Sequence, residues 1–387
     1  TGRLNLLDNT TDLTVQAHAP AMTLKPGVGW NDISLDAKLH GPLSAPMGQG
    51  HLLVDALAAS GAGVGKLRAS FEGQEAVRPG DSTLSLHLAA DGVSLPGAQP
   101  TLLAGAPLTL DVFFKPDADG RPLQLALNHA LAQVTGQVRL QPAPRGTLDV
   151  ILPDLAPLAR IGGADIRGHA VLHTAFSLPE KAQDASSLKL TGDLGITGGM
   201  KAIVGLIGPD GHLAVDASMI PHGPKDRVVT LKQVALDGAT LHFQDSGSVT
   251  LGERSSVRTD ATLGLTDFSR ISPAIKGHSD LTLHAEGPLD DLAASLHLDS
   301  VFGAHDVPAG PIVLDAVFSH LPGLATGTIK ASGTLDRAKL AIDAALDRNA
   351  AGATHVLLNA FDWNSVQGKG DLTLPKNGTV PLGNLDL

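Results

Sequence analysis

The chain has no cysteine and no tyrosine, and aromatics make up only 3 % of its 387 residues. Without cysteine there is no disulfide framework, no thiolate metal site and no cysteine nucleophile. With so few aromatic side chains, aromatic-lined carbohydrate clefts and nucleic-acid stacking platforms lose their usual material. Positive charge is also scarce: 28 Lys and Arg stand against 39 Asp and Glu, for a net charge of -11, and no basic stripe is present. A phosphate-binding surface needs clustered Lys and Arg, so nucleic acid is excluded as a partner. Long apolar runs are missing too. The longest, Met200–Ile207, carries Lys201 and falls far short of the ~20 residues of a spanning helix. No signal peptide is visible, and the chain reads as an internal piece of a longer protein.

What is present is apolar and punctuated. Hydrophobic residues reach 43 %, charged residues only 17 %, with 44 Gly and 25 Pro. A disordered chain would be poorer in apolar residues and richer in charge. The dominant signal is alternation with period two. Ile33, Leu35, Ala37 and Leu39 are spaced by Ser34, Asp36 and Lys38, and Leu67, Ala69 and Phe71 by Arg68 and Ser70. The pattern recurs at Leu84, Leu86 and Leu88, at Leu108, Leu110, Val112 and Phe114, at Leu213, Val215 and Ala217, and at Leu281, Leu283 and Ala285. Successive side chains of a strand point to opposite faces, so each segment has one oily and one wet face.

Turn signals separate these runs: Asp91-Gly92, Pro116 to Gly120, Asp210-Gly211, Asp237-Gly238 and Asn377-Gly378. Such pairs supply the positive φ of tight hairpins. A strand and a turn every 10–14 residues or so predict a meandering antiparallel sheet. Short helical pieces are expected only at Asp154–Ile161 and near Gly199–Ile207. A longer repeat links Leu148–Leu158, Gly163 and the strand Gly168–Ala175 to Leu263–Ile271, Gly277 and the strand Leu281–Ala285. Both copies run strand, Asp-started apolar turn, Gly, strand. Such repetition points to a quasi-one-dimensional stack. As one ladder, 25–30 strands would span roughly 120–140 Å, and a sheet that long with one apolar face is expected to fold over as a groove, a trough or a solenoid.

Several motifs invite chemistry and are better explained by structure. Gly61-Ala-Gly63-Val-Gly65-Lys66 lacks the spacing and the following Ser or Thr of a phosphate loop, and reads as a hairpin turn. His169 and His173 share a strand face, but no local carboxylate completes a metal site. Asp245-Ser-Gly-Ser248 has no assignable triad partners and reads as a turn between Leu241–Phe243 and Val249–Leu251. Asp117-Ala-Asp119-Gly120 lacks the later ligands of a calcium loop. Asp290-Asp291 also reads as a turn. No catalytic, cofactor or metal residue is assigned, and the chain is expected not to be an enzyme.

Leu152-Pro-Asp-Leu-Ala-Pro-Leu158, followed by Gly163–Gly168 and an alternating strand, resembles repeats of TamB-type translocation and assembly proteins. So do Gly195–Gly208, Leu231–Phe243 with the Ser246-Gly-Ser248 segment, Asp267–Ile271 and the closing Gly370–Leu387. The likeness runs from about residue 120 to the end; the family's amino-terminal anchor and carboxy-terminal domain are not recognisable. The resemblance, which extends to AsmA-like and bridge-like lipid transporters, implies the periplasm of a Gram-negative bacterium and anchorage in the inner membrane through a segment outside this chain. It further implies a long β-groove with a hydrophobic interior, phospholipid acyl chains as partners, and outer-membrane assembly with a TamA-like barrel contacted through other parts.

The expected fold is all-β: an elongated, mostly antiparallel groove of degenerate repeats with a few short helices, divided as 1–145, 146–260 and 261–387. Candidate groove-lining residues are Leu84, Leu86, Leu88, Leu108, Leu110, Val112, Phe114, Leu281 and Leu283. From the residues alone, the same oily stripes also describe the core of an ordinary β-sandwich. A β-solenoid adhesin and a β-rich carbohydrate-active enzyme are the other readings. The first is opposed by irregular repeat lengths and Asp-Gly hairpins, the second by the lack of paired carboxylates and aromatic platforms. An outer-membrane barrel lacks its aromatic girdles.

Overall fold

A computed structural model of the chain describes residues 1–96, 101–223, 225–376 and 382–386. The Asn377-Gly378 turn lies outside the described residues. The chain forms two compact units, Thr1–Glu180 and Lys181–Leu387. The sequence divisions at 145/146 and 260/261 both fall inside strands.

The first unit runs β1 (Gly2–Asn5), β2 (Thr10–Lys25), β3 (Val28–Pro42), β4 (Met47–Ala59), β5 (Ala62–Gln74), β6 (Thr83–Asp91), α1 (Thr101–Ala104), β7 (Leu108–Phe114), β8 (Pro122–His129), β9 (Ala132–Arg139), β10 (Arg145–Leu152), α2 (Ala156–Ile161) and β11 (Ile166–Ser177). The second runs β12 (Ser186–Gly199), α3 (Lys201–Ile207), β13 (Gly211–Pro221), β14 (Arg227–Asp237), β15 (Leu241–Leu251), β16 (Ser256–Leu265), a 3-10 turn (Phe268–Arg270), β17 (Ile275–Pro288), β18 (Leu292–Ala304), β19 (Val307–Leu321), β20 (Thr326–Leu335), β21 (Ala338–Arg348), β22 (Thr354–Trp363), β23 (Val366–Leu374) and β24 (Leu382–Asp386). Within each unit every strand pairs antiparallel with the strand before and after it in sequence. The all-β, antiparallel expectation is therefore met.

Both helical pieces read from the sequence are present, each slightly shorter than expected. The long repeat has a shared local cause. Asp154 accepts from the Ala156 N–H at 2.9 Å, and Asp267 accepts from the Ser269 N–H at 2.9 Å. Each carboxylate thus stops a strand and turns the chain into a helical piece. Hydrogen bonds from the Ser269 hydroxyl and N–H hold the Asp267 carboxyl below its ordinary range.

Two turn readings need correction. Asp245-Ser-Gly-Ser248 is not a turn: β15 passes straight through it, paired on both sides. In the Gly61–Lys66 segment only Gly61 belongs to the turn, and Ala62 already opens β5. Three tight hairpins carry positive φ at both central residues: Ser60-Gly61 (51°, 90°), Asp336-Arg337 (51°, 63°) and Asn364-Ser365 (50°, 70°). That backbone follows the twist of the flanking strands.

No large side chain among the described residues is fully buried. The best-buried apolar residues are mostly small, among them Ala90, Ala170, Ala235 and Ala316. A two-layer sandwich would seal large residues between its sheets. Here the large side chains of the oily face are only partly buried.

Arg337 holds a left-handed conformation that costs an L-residue about 1 kcal/mol. Replacing Arg337→Gly is expected to stabilise the β20–β21 hairpin by up to about that amount, less the entropy glycine adds to the unfolded chain. A raised urea midpoint with unchanged slope is the expected result; a lowered midpoint contradicts the hairpin geometry.

Candidate functional site

The antiparallel register turns separate stripes into continuous rows. In the first unit, Ala17, Leu35, Leu52, Ala69, Leu88, Leu110, Leu127, Val134, Val150 and Leu172 stand opposite one another in turn, one from each strand β2–β11. A neighbouring row runs from Val15 and Ala37 through Gly50, Phe71, Leu86, Val112, Leu125, Gly136 and Leu148 to Thr174. On the other side of that row, Leu84 pairs with Phe114 and Phe114 with Leu123, while Ala90 pairs with Leu108 beyond the first row. All seven first-unit candidates therefore share one face on adjacent strands β6 and β7.

Large side chains on this face lie over glycines. A Cβ at Gly50 would clash with the ring of Phe71, and one at Gly136 would stand 2.5 Å from Leu148 Cδ2. The rows pack by interleaving bulk and gap, in the manner of aromatic rescue of strand glycines.

The second unit repeats the design. One row takes Gly192, Leu213, Leu236, Phe243, Leu263, Leu281, Leu298, Leu314, Ala331, Ile342, Phe361 and Gly368. The next takes Leu190, Val215, Val234, Asp245, Ala261, Leu283, Leu296, Ala316, Ile329, Ala344, Leu358, Gly370 and Leu385. A third takes Leu188, Ala217, Leu231, Gly247, Thr259, Ala285, Ala294, Phe318, Gly327, Leu346, Val356, Leu372 and Gly383. Leu281 and Leu283 lie side by side on this face.

The opposite faces are wet and carry an ordered set of His–Asp contacts. His87 and Asp111, His173 and Asp149, His212 and Asp193, His284 and Asp260, and His297 and Asp315 are directly opposed across adjacent strands, with Nδ1 to Oδ1 distances of 2.5–2.7 Å. His242 and Asp237 add a sixth opposed pair at 3.0 Å. These contacts are exposed, so each adds only a few tenths of a kcal/mol. They do secure the register. His173 is thus occupied by Asp149 while His169 shares its strand face. Among the described residues no group of three or more His, Asp or Glu could hold a metal ion.

Two cavities lie on the wet faces: one of about 660 Å³ over β4–β10, lined by groups such as Gln49, Glu72, Gln124 and Thr147, and one of about 400 Å³ over β16–β19. Leu86, Val112 and Leu283 border them from between polar rows. By strand alternation their side chains belong to the other face.

Sequence reasoning missed Asp245, which it placed in a turn. The signal was available. Leu241, Phe243, Asp245, Gly247, Val249 and Leu251 hold one parity through β15, with His242, Gln244, Ser246, Ser248 and Thr250 on the other.

No model of a protein family and no curated protein matches this chain.

A charge placed on an open face stays solvated, whereas one sealed in a core costs several kcal/mol. Leu110→Asp and Leu283→Asp are accordingly expected to lower stability by about 1–2 kcal/mol. Losses of about 4 kcal/mol or more in urea titrations would show those positions to be closed in by protein.

Proposed function

We propose that this chain is a non-catalytic, lipid-carrying segment of a TamB-like periplasmic protein, presenting a continuous apolar surface along which phospholipid acyl chains move between membranes. The observation that carries this reading is one wholly apolar row in each unit, Ala17 to Leu172 across β2–β11 and Gly192 to Gly368 across β12–β23, with no large side chain among the described residues fully buried. Contiguous apolar surface of more than a few hundred Å² marks a binding face. Exposure to water disfavours it by roughly 25 cal/mol per Å².

Acyl chains suit such a face because they need no hydrogen-bond partners and no fixed registry. Rows of Leu, Val, Ala and Phe at regular spacing offer many equivalent contacts, so a chain can shift from one to the next without a deep minimum. Headgroups remain in water. The sliding surface asks nothing of catalysis, cofactor or metal. Assistance to outer-membrane protein insertion, through a TamA-like barrel reached by other parts of the longer protein, belongs to the same family-based proposal.

The test is direct. Purified chain extracted with organic solvent is expected to yield co-purified phospholipid. Photo-crosslinking residues at Leu110 or Leu283 should label lipid, and the same residues at His87 or His297 on the wet faces should not. A preparation that carries no lipid, takes none from phospholipid vesicles and labels equally on both faces overturns the proposal.

A further inference from the structure

The oily rows of the second unit are interrupted by two polar residues, and those two touch. Asp245 is the one ionisable residue in its row from Leu190 to Leu385, and Thr259 the one polar residue in the adjacent row from Leu188 to Gly383. The Thr259 hydroxyl donates to Asp245 Oδ1 at 2.6 Å. No Lys, Arg or His among the described residues comes within ion-pair distance of Asp245, although Asp193, Asp216, Asp237 and Asp260 on the wet face all have such partners.

The surroundings single out the same spot. Gly247 follows on the same face of β15, and Ala261 stands opposite Asp245 on β16. Gly247 packs so close to the β16 main chain that a Cβ there would clash with the Arg258 carbonyl. A β-bulge in β14, between Leu231 and Val234, lies directly beside Asp245. Bulges locally bend a strand and re-aim its side chains, and they gather at functional sites.

We infer that Asp245, oriented by Thr259, receives the ammonium group of an amphiphile carried on the oily face, so that the segment favours amine-bearing lipids over purely anionic ones. The inference rests on the reading of that face as a lipid-carrying surface. Its physical basis is charge complementarity. An acyl chain lying across an unpaired carboxylate would strip water from it without compensation. An ammonium brought to the same place supplies the missing partner, and an anionic head is repelled.

The test compares dodecylammonium with dodecanoate, below their micellar concentrations at pH 7.5, by displacement of a fluorescent acyl probe from the whole chain. Wild type is expected to bind dodecylammonium about tenfold more tightly. Asp245→Asn should cut that ratio about fivefold or more, while Asp280→Asn on the wet face, which removes the same charge, should leave it unchanged. Asp245→Leu, which completes the apolar row, should tighten dodecanoate binding. A ratio unchanged in Asp245→Asn, or equal binding of both probes by wild type, overturns the inference while leaving the carrier reading intact. Failure of wild type to bind either probe overturns the carrier reading and this inference with it.

Discussion

A slip of one residue in any strand pairing would exchange the wet and oily sides of the strand beyond it, because side chains alternate with a period of two. Everything distinctive about this chain depends on that slip not occurring. Leu88 faces Leu110, Leu110 faces Leu127, and Leu127 faces Val134, so short oily stripes become one unbroken row. Three devices hold the register. Two-residue turns such as Asp336-Arg337 and Asn364-Ser365 fix the count between strands. Opposed His–Asp contacts match polar partners on the wet faces. Phenyl rings over glycines, Phe71 on Gly50 and Phe318 on Gly327, match bulk to gap on the oily faces.

The same register accounts for the absence of a conventional core. A strand whose only extensive neighbours are the ones before and after it lends its oily face to the surface of the ladder rather than to an interior. Small residues are the ones that become buried, and the large ones stay partly open. Such a face asks for a cover without directional demands. The wet faces, by contrast, carry two cavities, of about 660 and 400 Å³, and the opposed His–Asp pairs. Polar groups thus gather on one side and bulky apolar side chains on the other, with Asp245 and Thr259 as the two polar residues of the three oily rows traced across β12–β24.

Much of this was legible in the residues. The alternation at Leu84–Leu88 and Leu108–Phe114 predicts strands with a common oily side, and the structure places them on neighbouring strands. Asp154 and Asp267 announce their turns because a carboxylate two residues before a backbone N–H is a local device. Which residue opposes which was not legible, since register depends on turn lengths that a sequence shows only where Gly marks them. Asp336-Arg337 and Asn364-Ser365 turn without glycine. Asp245 was misread for the opposite reason: Ser246-Gly-Ser248 has turn chemistry, but pairing with β14 and β16 on both sides overrides it.

The proposed carrier role requires that the oily rows be open to lipid and the wet rows not. The absence of cysteine allows single nitroxide labels to be attached at will through introduced thiols. Labels at positions 110 and 283, and at 87 and 297 for comparison, would be read for collision with oxygen and with a water-soluble nickel chelate, before and after addition of phospholipid. Lipid is expected to raise oxygen collisions and lower nickel collisions at 110 and 283 alone. Unchanged collision rates at 110 and 283, or equal changes at all four positions, would contradict it.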